Sequence, residues 1–307
     1  MRRMKRLLCL LLTLLLCPAA AETADAPVLE VHQMMLGCAD GYLLRLGEAS
    51  ILIDGGNANP RLPTDEALDY LRAAGVDTLD AVIITHWHLD HCMSLNKVLA
   101  EFGRDDTVVY SPADRVPEEI DNGTVTVKIG PLVRGSHRQM KPGDALQFGG
   151  MTLTCIGPDR LNLNGGCNQD SLNLIVRYGQ RKLLFTGDFA QSAAISGAYR
   201  ELCADVDVLK FPHHAIEPFE IGTTALRVVS PEYVLVPGVA NKYKVWNYAD
   251  NVAVRFPKEN VLTNADGHVV ILTDGGERFD VLTQQDPADY APKMQSQNAT
   301  SKMDAFR

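Results

Sequence analysis

The chain has 307 residues, of which 46% are hydrophobic and 22% are charged, values that are ordinary for a folded globular protein. It carries 29 basic and 38 acidic residues, a formal net charge of −9, and no basic stripe is visible along it. These features argue against a protein that grips nucleic acid mainly through its phosphates. No interior stretch has the composition of a linker, so we expect a single folded domain.

The first 21 residues differ from the rest and are typical of a secretory signal peptide. A basic start precedes an apolar run from Leu7 to Leu16, and small residues follow up to Ala21. The run is too short to span a bilayer comfortably. We therefore expect cleavage near Ala21 and a secreted or extracytoplasmic protein with no stable membrane span. Losing the four basic residues of this segment leaves 25 basic and 38 acidic ones, a net charge of −13. An uncleaved N-terminal anchor is the alternative.

Five of the seven cysteines lie beyond this segment, at irregular spacing and without a C-x-x-C pair. This pattern indicates neither a disulfide framework nor a zinc ribbon. We expect buried free thiols, with at most one disulfide among them.

Short apolar runs alternate with turns along the chain, and a few stretches have helical periodicity. Strands are predicted over 28–35, 42–46, 51–54, 81–85, 171–178, 182–185, 206–211, 233–236 and 268–272. Helices are predicted over 64–74, 93–102 and 190–202, and residues 107–160 are predicted to be rich in strands. The polar stretch 284–307 has no periodicity, which predicts a flexible tail after one domain that spans 28–283.

The strongest chemical signal is the pattern H-x-H-x-D-H, which directly follows the predicted strand 81–85. It consists of His86, His88, Asp90 and His91. Imidazole nitrogens and carboxylate oxygens suit zinc and similar divalent ions. The first two histidines can point toward one ion and the last two residues toward a second. Pairs of ions roughly 3.5–4 Å apart are common in hydrolytic enzymes. The alternative is a polar loop with ordinary surface histidines.

Two weaker signals also follow apolar strands. Thr186-Gly187-Asp188 ends one strand, and Pro212-His213-His214 follows another. Either alone is more often a turn. Their shared position at the carboxyl end of a strand strengthens both, because sites gather there in α/β proteins. Lys210 lies within the second of these strands. We expect it to be a solvated or supporting residue rather than a contact for a substrate phosphate.

Taken together, these three motifs resemble those of the metallo-β-lactamase superfamily. Several further segments resemble its ComEC-type branch, the hydrolase-like domain of competence proteins. They are Leu36-Gly37-Cys38-Ala39-Asp40-Gly41, Leu52-Ile53-Asp54-Gly55-Gly56, the hairpin from Ser171 to Asp188, the segment from Asp205 to His214, and the segment from Thr263 to Gly276. The resemblance covers about 28–283 and implies an α/β fold, the four-layered αββα sandwich of the superfamily.

The resemblance also implies a set of metal ligands. It assigns His86 and His88 to one ion, Asp90 and His91 to a second, Asp188 to a position between both, and His214 to the second ion. The ions would be two divalent metals, zinc in the first place, with manganese as the alternative.

Other positions remain open. Where the wider superfamily has a further histidine for the first ion, this chain has Cys167 and Asn168. The ComEC-type branch commonly has asparagine there, and a thiolate would also bind zinc. An ordinary turn before a strand is the alternative. Tyr243 lies in a segment similar to the branch's N-x-Y, without the His-Pro that often follows. Ser94 and Ala215 stand where glycines are usual, which suggests a modified substrate pocket.

These residues predict a secreted metal-dependent hydrolase. We assign catalytic roles to Asp90, Asp188 and His213, with Asp188 positioning the attacking water and His213 donating a proton to the leaving group. The resemblance favours a phosphodiester substrate, either a small molecule or extracellular nucleic acid. The alternatives are a β-lactamase or other ester or amide hydrolase, and a non-catalytic metal-binding module. The sequence indicates no protein partner.

Overall fold

The computed structural model describes residues 27–61, 65–238 and 242–291. Its larger sheet has eight strands in the order β17-β16-β1-β2-β3-β4-β5-β8. The bounds of these strands are β1 Leu29–Gln33, β2 Tyr42–Leu46, β3 Ala49–Ile53, β4 Ala81–Ile83, β5 Val108–Ser111, β8 Ser136–Gln139, β16 Val269–Thr273 and β17 Phe279–Leu282. The pairs from β3 to β4, β5 and β8 are parallel, whereas β17, β16, β1, β2 and β3 pair antiparallel.

The second sheet has seven strands in the order β15-β14-β13-β12-β11-β10-β9. The bounds are β9 Ala145–Phe148, β10 Met151–Gly157, β11 Asn173–Tyr178, β12 Arg181–Phe185, β13 Val208–Lys210, β14 Tyr233–Val236 and β15 Val261–Thr263. Strands β12 to β15 run parallel, and β9 to β12 antiparallel. A separate hairpin is formed by β6 Glu119–Asp121 and β7 Thr126–Lys128.

Seven α-helices lie within the described residues. They are α1 Glu66–Ala73, α2 Leu89–Cys92, α3 Leu95–Phe102, α4 Ser192–Ser196, α5 Arg200–Cys203, α6 Thr223–Val229 and α7 Lys242–Asn251. Short 3-10 helices occupy Asn168–Asp170, Pro212–Ala215, Lys258–Asn260, Asn264–Asp266 and Pro287–Tyr290.

The buried side chains form three clusters that define four layers. The central cluster joins the two sheets; Leu44 and Phe185 belong to it. A second cluster packs α1 and α3 on the outer face of the larger sheet, and a third packs α4, α6 and α7 on the outer face of the smaller one. Adjacent residues of a strand point to opposite faces, so Leu43 lies in the helix-facing cluster and Leu44 in the central one. This arrangement of helix, sheet, sheet and helix confirms the predicted α/β sandwich.

Several predicted helices differ in their bounds. The helix expected over 93–102 is preceded by α2, which begins at Leu89 and therefore includes the second half of the histidine motif. The helix expected over 190–202 is divided into α4 and α5, because the backbone at Gly197 leaves helical geometry.

The predicted signal peptide falls within 1–26, outside the described residues. Of the predicted tail, 284–291 is described and contains the 3-10 helix Pro287–Tyr290, whereas 292–307 is not described. Among the helices of the described residues, none has the length and apolar character needed to cross a bilayer.

Candidate metal centre

The predicted metal ligands lie at the carboxyl ends of strands from both sheets. In the larger sheet, β4 leads into the histidine motif. In the smaller sheet, the parallel neighbours β12 and β13 end just before Asp188 and His214. Parallel neighbours present their carboxyl ends at the same edge, so chain segments far apart in sequence meet there. The sandwich thus brings four candidate ligands that follow the larger sheet together with two that follow the smaller sheet.

The side chains form two groups that share Asp188. One group contains Asp90, His91, Asp188 and His214, and the other contains His86, His88 and Asp188. Within each group, one candidate ligand atom per residue lies within 4.8 Å of all the others. Asp188 Oδ1 is 3.2 Å from His91 Nε2, and Oδ2 is 3.9 Å from His86 Nε2. The two oxygens of one carboxylate therefore face the two groups separately.

Several buried polar atoms of these groups have no hydrogen-bond partner. They include the Nε2 atoms of His86 and His91 and the Oδ1 atom of Asp188. Leaving a buried donor or acceptor unpaired costs about 1–3 kcal/mol. A divalent cation in each group would satisfy these atoms, and imidazole and carboxylate ligands are the set that zinc and related ions bind. The residues therefore fit a metal centre.

Burial and neighbouring charges shift the ionisation of these groups. Burial, together with the charge of His91, holds the pKa of His86 well below its usual value, so its ring is neutral as a ligand must be. Burial acts to lower the pKa of His91 too, but the carboxylates of Asp188 and Asp54 outweigh it and hold that pKa well above the usual value. Burial acts to raise the pKa of Asp188, yet His91 and Lys210 hold it well below the usual range. The excess of carboxylate around His91 is an environment that favours cations.

Asp54, which directly follows β3, contacts the Nδ1 side of the His91 ring. Its Oδ1 accepts a hydrogen bond of 2.7 Å from the backbone N–H of Thr85, and its Oδ2 accepts one of 2.7 Å from the Thr85 hydroxyl. Asp54 Oδ2 is also 2.9 Å from His91 Nδ1. A histidine that donates from Nδ1 to a carboxylate is left with Nε2 free to face an ion. Asp54 lies within one of the segments that carry the resemblance, but the sequence did not reveal this role, because its partners are 31 and 37 residues away.

A family model described as the metallo-beta-lactamase superfamily matches residues 39–238. The chain belongs to this superfamily. Among solved structures, it is similar to the metallo-beta-lactamase fold protein YhfI from Bacillus subtilis, with 15% identity over 77% of this chain and 95% of that one and a TM-score of 0.49. It is also similar to a diphosphatase of the PhnP family, with 13% identity over 77% and 94% of the two chains and a TM-score of 0.46. A third is CmlA, a diiron β-hydroxylase from Streptomyces venezuelae, with 13% identity over 76% and 53% and a TM-score of 0.42.

The matched range contains both ligand groups. Assignment to the ComEC-type branch rests on the sequence motifs alone and stays a prediction.

Lys210, which the sequence left as either solvated or supporting, is only 1% exposed. It is not solvated, because its ammonium contacts Asp40, Asp188 and the carbonyl oxygen of Gly187.

The loop that carries the late histidines has an unusual backbone. His213, His214 and Ala215 follow one another with φ of 51°, 50° and 56°. A left-handed conformation costs a non-glycine residue on the order of 1 kcal/mol. This geometry explains why glycine is expected at the position of Ala215. His214 is buried and joins the ligand group, whereas His213 is half-buried, with its ring centroid 6.3 Å from that of His214.

The remaining predicted residues are Cys167, Asn168 and Tyr243, and the two ligand groups do not include Cys167. Cys167 and Asn168 are partly buried beside and within the 3-10 helix Asn168–Asp170. Burial and the nearby Asp170 raise the pKa of the Cys167 thiol, which opposes thiolate formation. Tyr243 is 59% exposed on α7, where Lys258 Nζ lies 4.7 Å from its ring centroid. Asn168 Oδ1 is buried and has no hydrogen-bond partner among the described residues.

A cavity of about 1040 Å³ opens beside His88 and Asp90. Its walls come from the segments 57–60, 115–122 and 163–166, and Trp87 also lines it. Its charged wall residues, apart from the candidate ligands, are Arg115, Glu118, Glu119 and Asp121. A cavity of this size next to a metal centre can hold a small organic substrate.

Proposed function

We propose that this protein is a metal-dependent hydrolase that cleaves small phosphodiesters. The observation that carries the proposal is the pair of ligand groups that share Asp188 beside a substrate-sized cavity. Divalent ions bound to these groups supply Lewis acidity, which activates water near neutral pH and offsets negative charge on the attacked centre. We propose two ions, zinc in the first place and manganese as the alternative, and a secreted protein.

The chain's own residues then have separate tasks. His86 and His88 would bind one ion, and Asp90, His91 and His214 would bind the other. Asp188 belongs to both groups and would fix the distance between them. Asp188 also orients the attacking water, because its carboxylate faces both groups. His213 is the candidate proton donor for the leaving group, since it adjoins the ligand His214 and is partly accessible.

The charges of the cavity favour a small substrate over nucleic acid. Three carboxylates, those of Glu118, Glu119 and Asp121, line it against the single guanidinium of Arg115. The chain as a whole carries a net charge of −9. A polynucleotide would meet this excess negative charge along its length, whereas a single phosphodiester group would contact mainly the metal centre.

The test is turnover by the purified protein with Zn²⁺ or Mn²⁺ on three substrates: bis(p-nitrophenyl) phosphate, a single-stranded oligonucleotide and nitrocefin. Asp188→Asn is the site variant. Asp69→Asn, a carboxylate that is 68% exposed on α1, is the matched control. We expect diester hydrolysis that disappears in the first variant and persists in the second. Hydrolysis of nitrocefin alone, or bound metal without turnover of any substrate, would refute the proposal.

A further inference from the structure

Lys210 is a buried cation placed directly behind the candidate metal centre. It is the last residue of β13, an interior strand of the smaller sheet, and only 1% of it is exposed. Its Nζ atom donates to the carbonyl oxygen of Gly187 over 2.7 Å and contacts Asp40 Oδ2 over 2.5 Å. The same atom is 3.5 Å from Asp188 Oδ1. A buried ammonium is tolerated only with such partners, because an isolated charge loses its hydration on burial.

Asp40 is the partner of Lys210 and is equally buried, at 1% exposure. Its carboxylate also faces the two histidines of the group that contains Asp90, His91, Asp188 and His214. Asp40 Oδ1 is 3.5 Å from His214 Nδ1, and Oδ2 is 3.7 Å from His91 Nδ1. These nitrogens lie on the far side of each ring from the Nε2 atoms that approach Asp90 and Asp188. Asp40 therefore faces the outer nitrogens of the rings, whereas the inner nitrogens face the candidate ion.

Backbone hydrogen bonds connect Asp40 to the histidine motif and to the loop after β3. Its N–H donates to the carbonyl oxygen of Asp90 over 3.0 Å, and its carbonyl oxygen accepts from the N–H of Gly56 over 3.1 Å. Asp40, Asp54 and His91 could by themselves hold a cation. The ammonium of Lys210 already occupies one oxygen of Asp40, so that oxygen serves Lys210 rather than an ion.

We propose that Lys210 and Asp40 act together as positioning residues for the second ion, the one assigned to Asp90, His91, Asp188 and His214. Lys210 holds one oxygen of Asp188 and fixes the Asp40 carboxylate. Asp40 in turn places negative charge 3.5 Å from His214 Nδ1 and keeps that ring turned so that Nε2 faces the ion, whereas His91 is held mainly by its 2.9 Å contact with Asp54. Lys210 approaches Asp188 Oδ1, the oxygen nearer His91, whereas Asp188 Oδ2 faces His86, so we expect the pair to affect the second ion more strongly than the first. This inference rests on the proposed function, since it presupposes the metal centre.

The test compares zinc stoichiometry and affinity, by calorimetric titration and elemental analysis, in the wild-type protein and three variants: Lys210→Gln, Asp40→Asn and the double variant. Lys182→Met is the matched control, since Lys182 lies on the neighbouring strand β12 and its ammonium bonds the carbonyl of Ala204 instead. We expect the wild-type protein to bind two zinc ions. Each single variant should retain the first and bind the second about 10–100-fold more weakly. Lys182→Met should bind both normally.

The double variant separates positioning from a purely structural role. It removes both charges of the ion pair together, so neither partner is left as an unpaired buried charge, and it remains testable if a single variant fails to fold. We expect its metal-free melting temperature to lie near that of the wild-type protein, with the second zinc still bound at least about tenfold more weakly. Full recovery of the second site, or equal weakening of both sites, would overturn the positioning role. Failure of the wild-type protein to bind zinc would instead refute the proposed function.

Discussion

Replacing Gly56 with alanine should disrupt the metal centre without touching any ligand side chain. A Cβ atom built on Gly56 would lie 1.8 Å from the carbonyl carbon and oxygen of Asp90 and 2.4 Å from the backbone nitrogen of His91. The neighbouring Gly55 is bonded to the same segment, because its N–H donates to the carbonyl oxygen of His91 over 2.8 Å. Two backbone segments therefore pass each other here with no room for a side chain.

The size of the effect follows from these distances. Real Cβ atoms essentially never approach other atoms within 3.0 Å, so a contact of 1.8 Å forces the segments apart by more than about 1.2 Å. Metal–ligand distances tolerate changes of only about 0.2 Å. Asp90 and His91 would then leave the positions that an ion requires. Overpacking of this kind costs about 1–3 kcal/mol, which corresponds to a fall of roughly 2–5 °C in melting temperature for a chain of this size.

Gly47→Ala is the matched control. Gly47 has a φ of 59°, and a Cβ atom there would meet nothing within 4 Å. Its substitution therefore tests the cost of the left-handed backbone alone, about 1–2 kcal/mol. Thermal melting and zinc titration of both variants decide the matter. If Gly56→Ala binds zinc like the wild-type protein and melts no lower than Gly47→Ala, the close approach described here is wrong.

Three further predictions concern the hydrogen bond from Thr85 to Asp54, the charges of the cavity and the reactivity of the cysteine thiols. Thr85→Val removes the hydroxyl donor to the buried Asp54, so we expect about 1–3 kcal/mol less stability in denaturant unfolding and about tenfold weaker zinc binding, with the exposed Thr126→Val as control. Neutral amides in place of the three cavity carboxylates should raise kcat/KM for a dinucleotide about tenfold and that for bis(p-nitrophenyl) phosphate about twofold or less; equal gains would contradict the role of charge. Alkylation of the native protein at pH 8, followed by mass spectrometry, should modify the partly exposed Cys38 fastest and Cys167 more slowly, because the pKa of Cys167 is raised. The three buried thiols should be spared, because burial blocks access and raises the pKa of Cys155 to about 12 and that of Cys203 to about 11. Protection of Cys167 by zinc would contradict its position outside the ligand groups.

The candidate metal-binding motifs could be found in the sequence because their signals are local. The histidine motif follows a buried strand directly, and the two later motifs end strands of the same kind. The motifs after β12 and β13 could be expected to meet because parallel neighbours end at the same edge of a sheet, whereas their meeting with the histidine motif depends on how the two sheets pack. The four-layered fold was implied by the resemblance to the superfamily, because the pattern of apolar strands and helical segments does not by itself specify the order of the layers.

The supporting residues could not be found in this way. Lys210 and Asp40 are 170 positions apart in the sequence and form their ion pair only when the two sheets pack together. A lysine in a strand ordinarily predicts a solvated side chain, because the cost of burying its charge is large. Here tertiary contacts reverse that expectation. The helix predicted to begin at residue 93 is preceded by the short helix α2, which lies within the histidine motif. The pattern of apolar residues could not predict α2, because the motif consists mainly of polar residues.

The supporting contacts share one location, which explains how the fold determines the site. Gly56 and Asp54 belong to the larger sheet's loops, Lys210 belongs to the smaller sheet, and Asp40 contacts both. The ligands are divided in the same way, because His91 comes from the first sheet and Asp188 and His214 come from the second. An ion bound between them would link the two sheets directly. We therefore expect the affinity of the centre to depend on how closely the sheets approach at this edge, and substitutions of residues that set this approach to weaken metal binding.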